Sequence, residues 1–121
     1  MAMSSVVVAG GGYAGIMVAT ALDGEAEVTL VDARDAFVNV SSSLRAVVRA
    51  DWADRPFFGY GRLLAHGRAV RDSVTSADSS GVTLAGGERL DADYLVLATG
   101  STHAYPACLP RTATPAHDQR R

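Results

Sequence analysis

Three glycines and one aspartate carry most of the chemistry legible in this chain. Gly10, Gly12 and Gly15 form a G-x-G-x-x-G turn. The apolar run Val6-Val7-Val8-Ala9 leads into it, and Tyr13 to Leu22 follows, with Ile16, Met17, Ala19, Thr20 and Ala21 suited to a helix lying on a sheet. A glycine turn between a β-branched strand and a helix is a phosphate cradle. Gly10 permits a tight turn with positive φ. Gly12 has no Cβ, so a pyrophosphate can approach the backbone. Gly15 lets the helix pack close to the strand. The free N–H groups and the positive end of the helix then face the phosphates.

The aspartate is Asp32, at the end of a second strand read from Glu27-Val28-Thr29-Leu30-Val31. It stands 17 positions after Gly15 and 22 after Gly10, close to the roughly 20 expected of a ribose-binding carboxylate. There it can accept two hydrogen bonds from the adenosine ribose hydroxyls. It would also repel a 2′-phosphate, which argues against NADP in this pocket. Between helix and second strand, Asp23-Gly24 is a stop signal, with Gly24 free to take a left-handed cap. Ser5 to Asp32 is thus one βαβ unit of about 30 residues.

A further apolar strand lies far downstream, Tyr94-Leu95-Val96-Leu97-Ala98-Thr99-Gly100-Ser101. Continuous apolar runs of this kind mark buried parallel strands, and its carboxyl end should open on the same sheet edge as Gly10. With these motifs in place the chain resembles the FAD-dependent pyridine-nucleotide oxidoreductases, which carry G-x-G-x-x-G, an acid closing strand two, and Ala-Thr-Gly after a later strand. Within them it is most similar to the apoptosis-inducing-factor-like and ferroptosis-suppressor-type branch, related to type II NADH dehydrogenases. Val31-Asp32-Ala33-Arg34-Asp35-Ala36-Phe37, Ser43-Leu44-Arg45-Ala46-Val47-Val48 and Tyr94 to Ser101 carry that similarity. It runs from about Val6 to Pro106.

The resemblance implies an α/β fold: a Rossmann-like FAD/NAD(P)-binding three-layer sandwich, with a parallel sheet, helices on one side and a small antiparallel β-meander on the other, here incomplete. It implies FAD as cofactor. Gly10, Gly12 and Gly15 would meet the pyrophosphate, with Tyr13 and Ala14 between them in the same set. Asp32 would take the ribose and Arg34 the adenine rim. Val74 would offer backbone groups to the adenine, and Ala98, Thr99 and Gly100 would sit near the flavin. A helix after Ser41-Ser42-Ser43 would lie beside isoalloxazine and pyrophosphate, with Arg45 as a candidate contact; a solvated helix is the alternative for Arg45, and the expected state of Arg49. No residue is expected to act as a catalytic acid or nucleophile.

Relatives of this kind are three or more times longer. They have a second glycine-rich domain for NADH or NADPH and a later acid that holds the ribityl chain. Only 21 residues follow Gly100, so the expectation is the N-terminal part of an FAD domain over residues 1–105, with a disordered tail over 106–121 around Pro106, Pro110 and Pro115. The missing part, or a second chain, would complete the domain. Little NADH oxidation is expected of this chain alone. The single cysteine, Cys108, excludes a C-x-x-x-x-C dithiol relay.

The bulk properties are compatible with this. The 121 residues suit one domain, and 48% are hydrophobic, enough for an ordinary core. A net charge of −2 gives no basic patch for nucleic acid. No apolar stretch reaches the roughly 18 residues of a membrane span, and no secretory signal pattern precedes Val6. One cysteine suits a reducing compartment, so a cytoplasmic location is expected.

The middle of the chain carries less. Trp52, Phe57, Phe58 and Tyr60 cluster around Pro56 and are expected to form a satellite core beneath a loop, with a quinone or partner surface as the alternative. From Arg68 to Leu90 short strands are expected at Val74-Thr75, Gly81 to Leu84 and Glu88 to Leu90. Turns at Asp78 to Gly81 and Gly86-Gly87 would join them as hairpins, matching the family's meander. His66 and His103 read as loop residues, with no second ligand at metal spacing. Two other functions fit the same residues. One is a non-catalytic regulatory module that senses NAD or another nucleotide, although a Gly-Asp-Ala signature expected of such modules is missing. The other is an inactive truncated remnant.

Overall fold

A computed structural model describes residues 3–39, 44–45, 47–52 and 57–101. Strand β1 (Ser5–Ala9), helix α1 (Tyr13–Leu22) and strand β2 (Glu27–Asp32) form the expected βαβ unit. A short antiparallel ribbon follows, β3 (Ala36–Val38) with β4 (Phe57–Gly59). After it come β5 (Arg68–Arg71), the meander β6 (Val74–Asp78), β7 (Gly81–Leu84) and β8 (Arg89–Asp91), and finally β9 (Tyr94–Leu97).

The main sheet has the order β5-β2-β1-β9, and all its strands are parallel. The chain therefore builds outward from β1 through β2 to β5, then returns to the other side of β1. The order reverses between β1 and β9, and in open α/β sheets ligands bind outside the carboxyl ends of the strands at such a reversal.

The pleat of β1 and β2 divides the core in two. Val6, Val8, Val28 and Leu30 pack with Ala19 of α1 on one face. Val7 and Val31 pack with Val82, Leu84 and Leu90 of the meander on the other. From Val6 to Ala9 each side chain of β1 is buried because both faces of the sheet are covered, which is why this run is apolar throughout rather than alternating. Fully burying one such side chain contributes roughly 1.5–3 kcal/mol. The three layers are those expected: helix, parallel sheet, antiparallel meander.

Turn chemistry matches the sequence. Gly24 takes φ +90° after α1, and Gly87 takes φ +92° in the β7–β8 turn. Asp78 accepts the Ser80 N–H at 2.8 Å to close the β6–β7 turn. Arg89 reaches across the meander to Asp78 with two nitrogens at 2.8 Å each.

Two elements differ from expectation. Arg68-Ala69-Val70-Arg71 is a strand of the parallel sheet, paired Thr29 to Arg68 through Asp32 to Arg71. It lies at the sheet edge, so two apolar residues between arginines suffice and no apolar run marks it. The β3–β4 ribbon also has no alternation to announce it. It splits the aromatic cluster. Phe58 is half exposed, with its ring 6.2 Å from that of Phe37. Tyr60 is 6% exposed and belongs to the main core beside Val8 and Leu30, not to a satellite.

Residues 44–45 and 47–48 are helical. The expected cap at Ser41-Ser42-Ser43, the boundary at 105/106, the tail over 106–121, His103 and Cys108 all lie outside the described residues.

A candidate cofactor cleft at the carboxyl edge of the sheet

The cleft forms where β1, β2 and β9 end. Past the strands the ladder runs on: the Gly10 N–H donates to the Val31 carbonyl and the Ala98 N–H to the Ala9 carbonyl, each at 2.8 Å. These bonds hold the glycine turn, the Asp32 region and the Ala98–Gly100 segment side by side. Between them opens a cleft of about 250 Å³, lined by Gly10, Gly11, Gly12, Tyr13, Asp32, Arg34, Ala98, Thr99, Gly100 and Ser101.

The glycines have distinct reasons to be glycine. Gly10 has φ +108°, and a Cβ there would run into the Ala98 carbonyl oxygen. A Cβ on Gly15 would strike the carbonyl oxygen of Gly10, so this residue sets how near α1 approaches the turn. A Cβ on Gly12 would meet nothing within 4 Å. Packing does not demand glycine there; the open space belongs to the cleft.

Gly12 is the N-cap of α1 and makes no side-chain cap hydrogen bond, and the first turn holds no acidic residue. The leading N–H groups and the positive end of a ten-residue helix are thus left for an anion.

Asp32 is set by two backbone donors. The Gly11 N–H donates to Oδ2 at 2.7 Å and the Arg34 N–H to Oδ1 at 2.8 Å. Each carboxylate oxygen keeps a further lone pair, so a diol can still donate to both. Asp32 also lines a small notch of about 30 Å³ with Val74, Ser73, Asp72 and Ala33, and this notch shares Gly10, Asp32 and Thr99 with the main cleft.

Most of the expected site residues are brought together. Gly10, Gly12, Tyr13, Asp32, Arg34, Ala98, Thr99 and Gly100 line the cleft, and Val74 lines the notch beside it. Tyr13 places its ring edge-on to Phe37 at 4.9 Å, and its hydroxyl lies 3.1 Å from the Asn39 Oδ1. Ala14 is exposed on α1 and lines neither cavity. Arg45 stands elsewhere: its guanidinium carbon lies 4.4 Å from the centre of the Trp52 ring. Arg49 pairs with Asp51 at 2.9 Å in solvent.

Sequence reasoning missed Gly11, Ser101, Asp72 and above all Tyr60. The Tyr60 hydroxyl donates to the Gly11 carbonyl at 2.5 Å beneath the turn. Burial raises its phenol pKa well above the ordinary tyrosine value, and the negative charges of Asp32 and Asp35 add to this, so the group stays a donor. The signal in the sequence was an aromatic flanked by glycines, which reads as packing.

A larger cavity of about 500 Å³ opens at the opposite edge, where the strands begin, lined by Ser5, Glu27, His66, Arg68 and Arg89 among others. It has neither glycine turn nor helix N-terminus, and open α/β sheets bind ligands at the other edge. The smaller cleft is the functional candidate. Among the described residues no helix is long and apolar enough to cross a membrane.

Comparison with known proteins agrees with the fold. Residues 4–118 match the family model described as pyridine nucleotide-disulphide oxidoreductase. Apoptosis-inducing factor homolog A of Dictyostelium discoideum is 36% identical over 105 residues, which are 87% of this chain and 26% of that protein. Ferroptosis suppressor protein 1 of Homo sapiens is 36% identical over 104 residues, covering 84% of this chain and 28% of that one. Among solved structures, the sulfide:quinone oxidoreductase of Aquifex aeolicus superposes with a TM-score of 0.68 at 24% identity, over 84% of this chain and 25% of that one. NDH2 of Plasmodium falciparum gives 0.61 at 14% identity, over 85% and 23%. The chain spans about a quarter of the length of the curated relatives it matches.

Proposed function

The chain belongs to the pyridine nucleotide-disulphide oxidoreductase family, and on that premise we propose that its cleft holds the ADP half of FAD. In a complete oxidoreductase of which this chain would be the N-terminal part, bound FAD would take hydride from NADH or NADPH and pass electrons to a quinone or similar acceptor. The observation that carries the proposal is the position of Asp32. Its carboxylate is fixed by the Gly11 and Arg34 N–H groups at the rim of the same cleft that the helix N-terminus and Gly12 open onto. One cavity thus offers a positive end for phosphates and an acceptor pair for a ribose.

The residues present fit that half of the cofactor. The first turn of α1 has no acid to repel a pyrophosphate. Gly12 has room where any side chain would intrude. Asp32 accepts the ribose hydroxyls, and its charge disfavours a 2′-phosphate. The notch at Val74 shares Asp32 but not Gly12 with the cleft, and on this reading an adenine attached to that ribose would extend along it. Ala98, Thr99 and Gly100 line the same cleft, and on this reading the flavin would lie on their side. The part played by these residues is to bind and orient.

The test is binding of FAD to the purified 121-residue chain. In titration calorimetry FAD and ADP should each bind, ADP loaded first should block FAD, and riboflavin should give no binding heat. Absence of FAD and ADP binding together would overturn the proposal. Binding of NAD or ATP in preference to FAD would point instead to the regulatory nucleotide-sensing module.

A further inference from the structure

We infer that Tyr60 is a positioning residue for the phosphate turn, acting through the Gly11–Gly12 peptide; this rests on the proposal that the turn receives a pyrophosphate. Tyr60 does not line the cleft, and nothing in the sequence marks it as part of the site. It is delivered from below. The β3–β4 ribbon pairs Ala36 with Gly59, and the next residue, Tyr60, donates its own N–H to the Asp35 carbonyl at 3.2 Å. The ring then fills the core beside Val8 and Leu30, and the hydroxyl ends under the turn, donating to the Gly11 carbonyl at 2.5 Å.

That bond decides which way one peptide faces. In a trans peptide the carbonyl and the N–H point in opposite directions. With the Gly11 carbonyl drawn down to Tyr60, the N–H of Gly12 is turned away from Tyr60, to the side where Gly12 lines the cleft and has open space. The preceding peptide is held the other way, since the Gly11 N–H donates to Asp32. A glycine-rich turn is the most freely rotating backbone in a protein, and a peptide flip here would aim a carbonyl oxygen at the phosphates. Tyr60 and Asp32 hold the two peptides flanking Gly11 against that. The fit under the turn is close: a Cβ on Gly11 would run into the Tyr60 hydroxyl. Losing the hydroxyl would leave a buried carbonyl unpaired and the flipped form open to it.

The experiment compares Tyr60→Phe with wild type, both as the full chain, using ADP and adenosine as probes in calorimetric titration. Tyr60→Phe keeps the ring and removes only the hydrogen bond. The expected result is a loss of about tenfold in ADP affinity, as one hydrogen bond near a charged ligand would give, with adenosine affinity within about twofold of wild type. The amide resonance of Gly12 should shift with ADP in wild type and less so in the variant. A general loosening of the fold would weaken both probes alike, and that outcome overturns the inference. So does unchanged ADP affinity in Tyr60→Phe, which leaves the FAD proposal standing. A wild type that holds ADP no more tightly than adenosine overturns the pyrophosphate assignment, and the role of Tyr60 with it. If Tyr60→Phe fails to fold, wild type supplies the readout. The resonances of the Tyr60 ring and of the Gly12 amide should shift with ADP and not with adenosine, and resonances indifferent to ADP overturn the inference.

Discussion

Asp32 and Gly11, 21 residues apart in sequence, meet at the edge of the sheet, the Asp32 Oδ2 accepting the Gly11 N–H at 2.7 Å. The carboxylate expected to hold a ribose thus also holds the phosphate turn. Its Oδ1 does the same for Arg34, the next residue but one.

Asp32→Ala should therefore do two things at once. It should weaken ADP binding by about 1–3 kcal/mol, the cost of losing a charged acceptor. It should also lower the melting temperature of the free protein, because two backbone donors lose their partner. Titration calorimetry and a thermal melt check both. An Asp32→Ala protein that melts like wild type would show that the turn stands without this clamp.

The glycines separate folding from binding. Gly15→Ala places a Cβ on the Gly10 carbonyl, and backbone cannot give way as a flexible side chain can. A loss of about 1–3 kcal/mol or more is expected from overpacking. Gly12→Ala meets nothing in the protein, so its stability should change by no more than about 0.5–1 kcal/mol, while FAD and ADP binding are lost to the methyl in the cleft. Urea denaturation and fluorescence titration of the two variants provide the comparison.

Asp23 gives the fold a dependence on acid. It follows α1 and gathers the N–H groups of Ala65 at 2.6 Å, His66 at 3.1 Å and Gly67 at 2.7 Å, tying the loop before β5 to the end of the helix. Partial desolvation pushes its carboxyl pKa up, but the N–H groups of Gly67, Ala65 and His66 together outweigh this, and the electrostatic influence of the His66 side chain adds to them. The native pKa therefore lies below the unfolded value of 3.8. Such a group stabilises the fold above the unfolded pKa and ceases to do so as pH falls through the native one. The gap in urea midpoint between wild type and Asp23→Asn should be full at about pH 6 and should close below about pH 4. A gap that persists unchanged at low pH would assign it to shape rather than charge.

Asp93 pins the start of β9 to β1. Its Oδ2 accepts the Ser5 N–H at 2.8 Å, and its own N–H lies 3.0 Å from the Ser5 Oγ. Asp93→Ala should cost about 0.5–1.5 kcal/mol and speed hydrogen exchange in Tyr94–Leu97 more than in Glu27–Asp32. Equal protection of the two strands in the variant would show that the apolar pairing alone fixes the register.

The βαβ unit, its glycine turn, Asp32 and the late Ala98-Thr99-Gly100 segment were legible in the sequence because each is local. A β-branched run, a helical pattern and a turn residue with positive φ are written in consecutive residues, and the spacing from Gly10 to Asp32 follows from the length of one helix and one strand. The meander was legible for the same reason, through Gly86-Gly87 and the turn at Asp78. What sequence could not supply was the edge strand Arg68–Arg71, which needs no apolar run because little of it is buried, and the β3–β4 ribbon, which brings Phe37 and Phe58 together from distant parts of the chain. Arg45, adjacent in motif to the expected site, lies instead over Trp52. Tyr60 makes the contrast plainest. Its contact with Gly11 spans 49 residues and exists only because the ribbon, itself a tertiary pairing, carries the ring beneath the turn. The sequence by itself determined which backbone could cradle a phosphate; only the tertiary structure decided what holds that backbone facing the right way, because the atoms that restrain a flexible turn come from chain segments far from it.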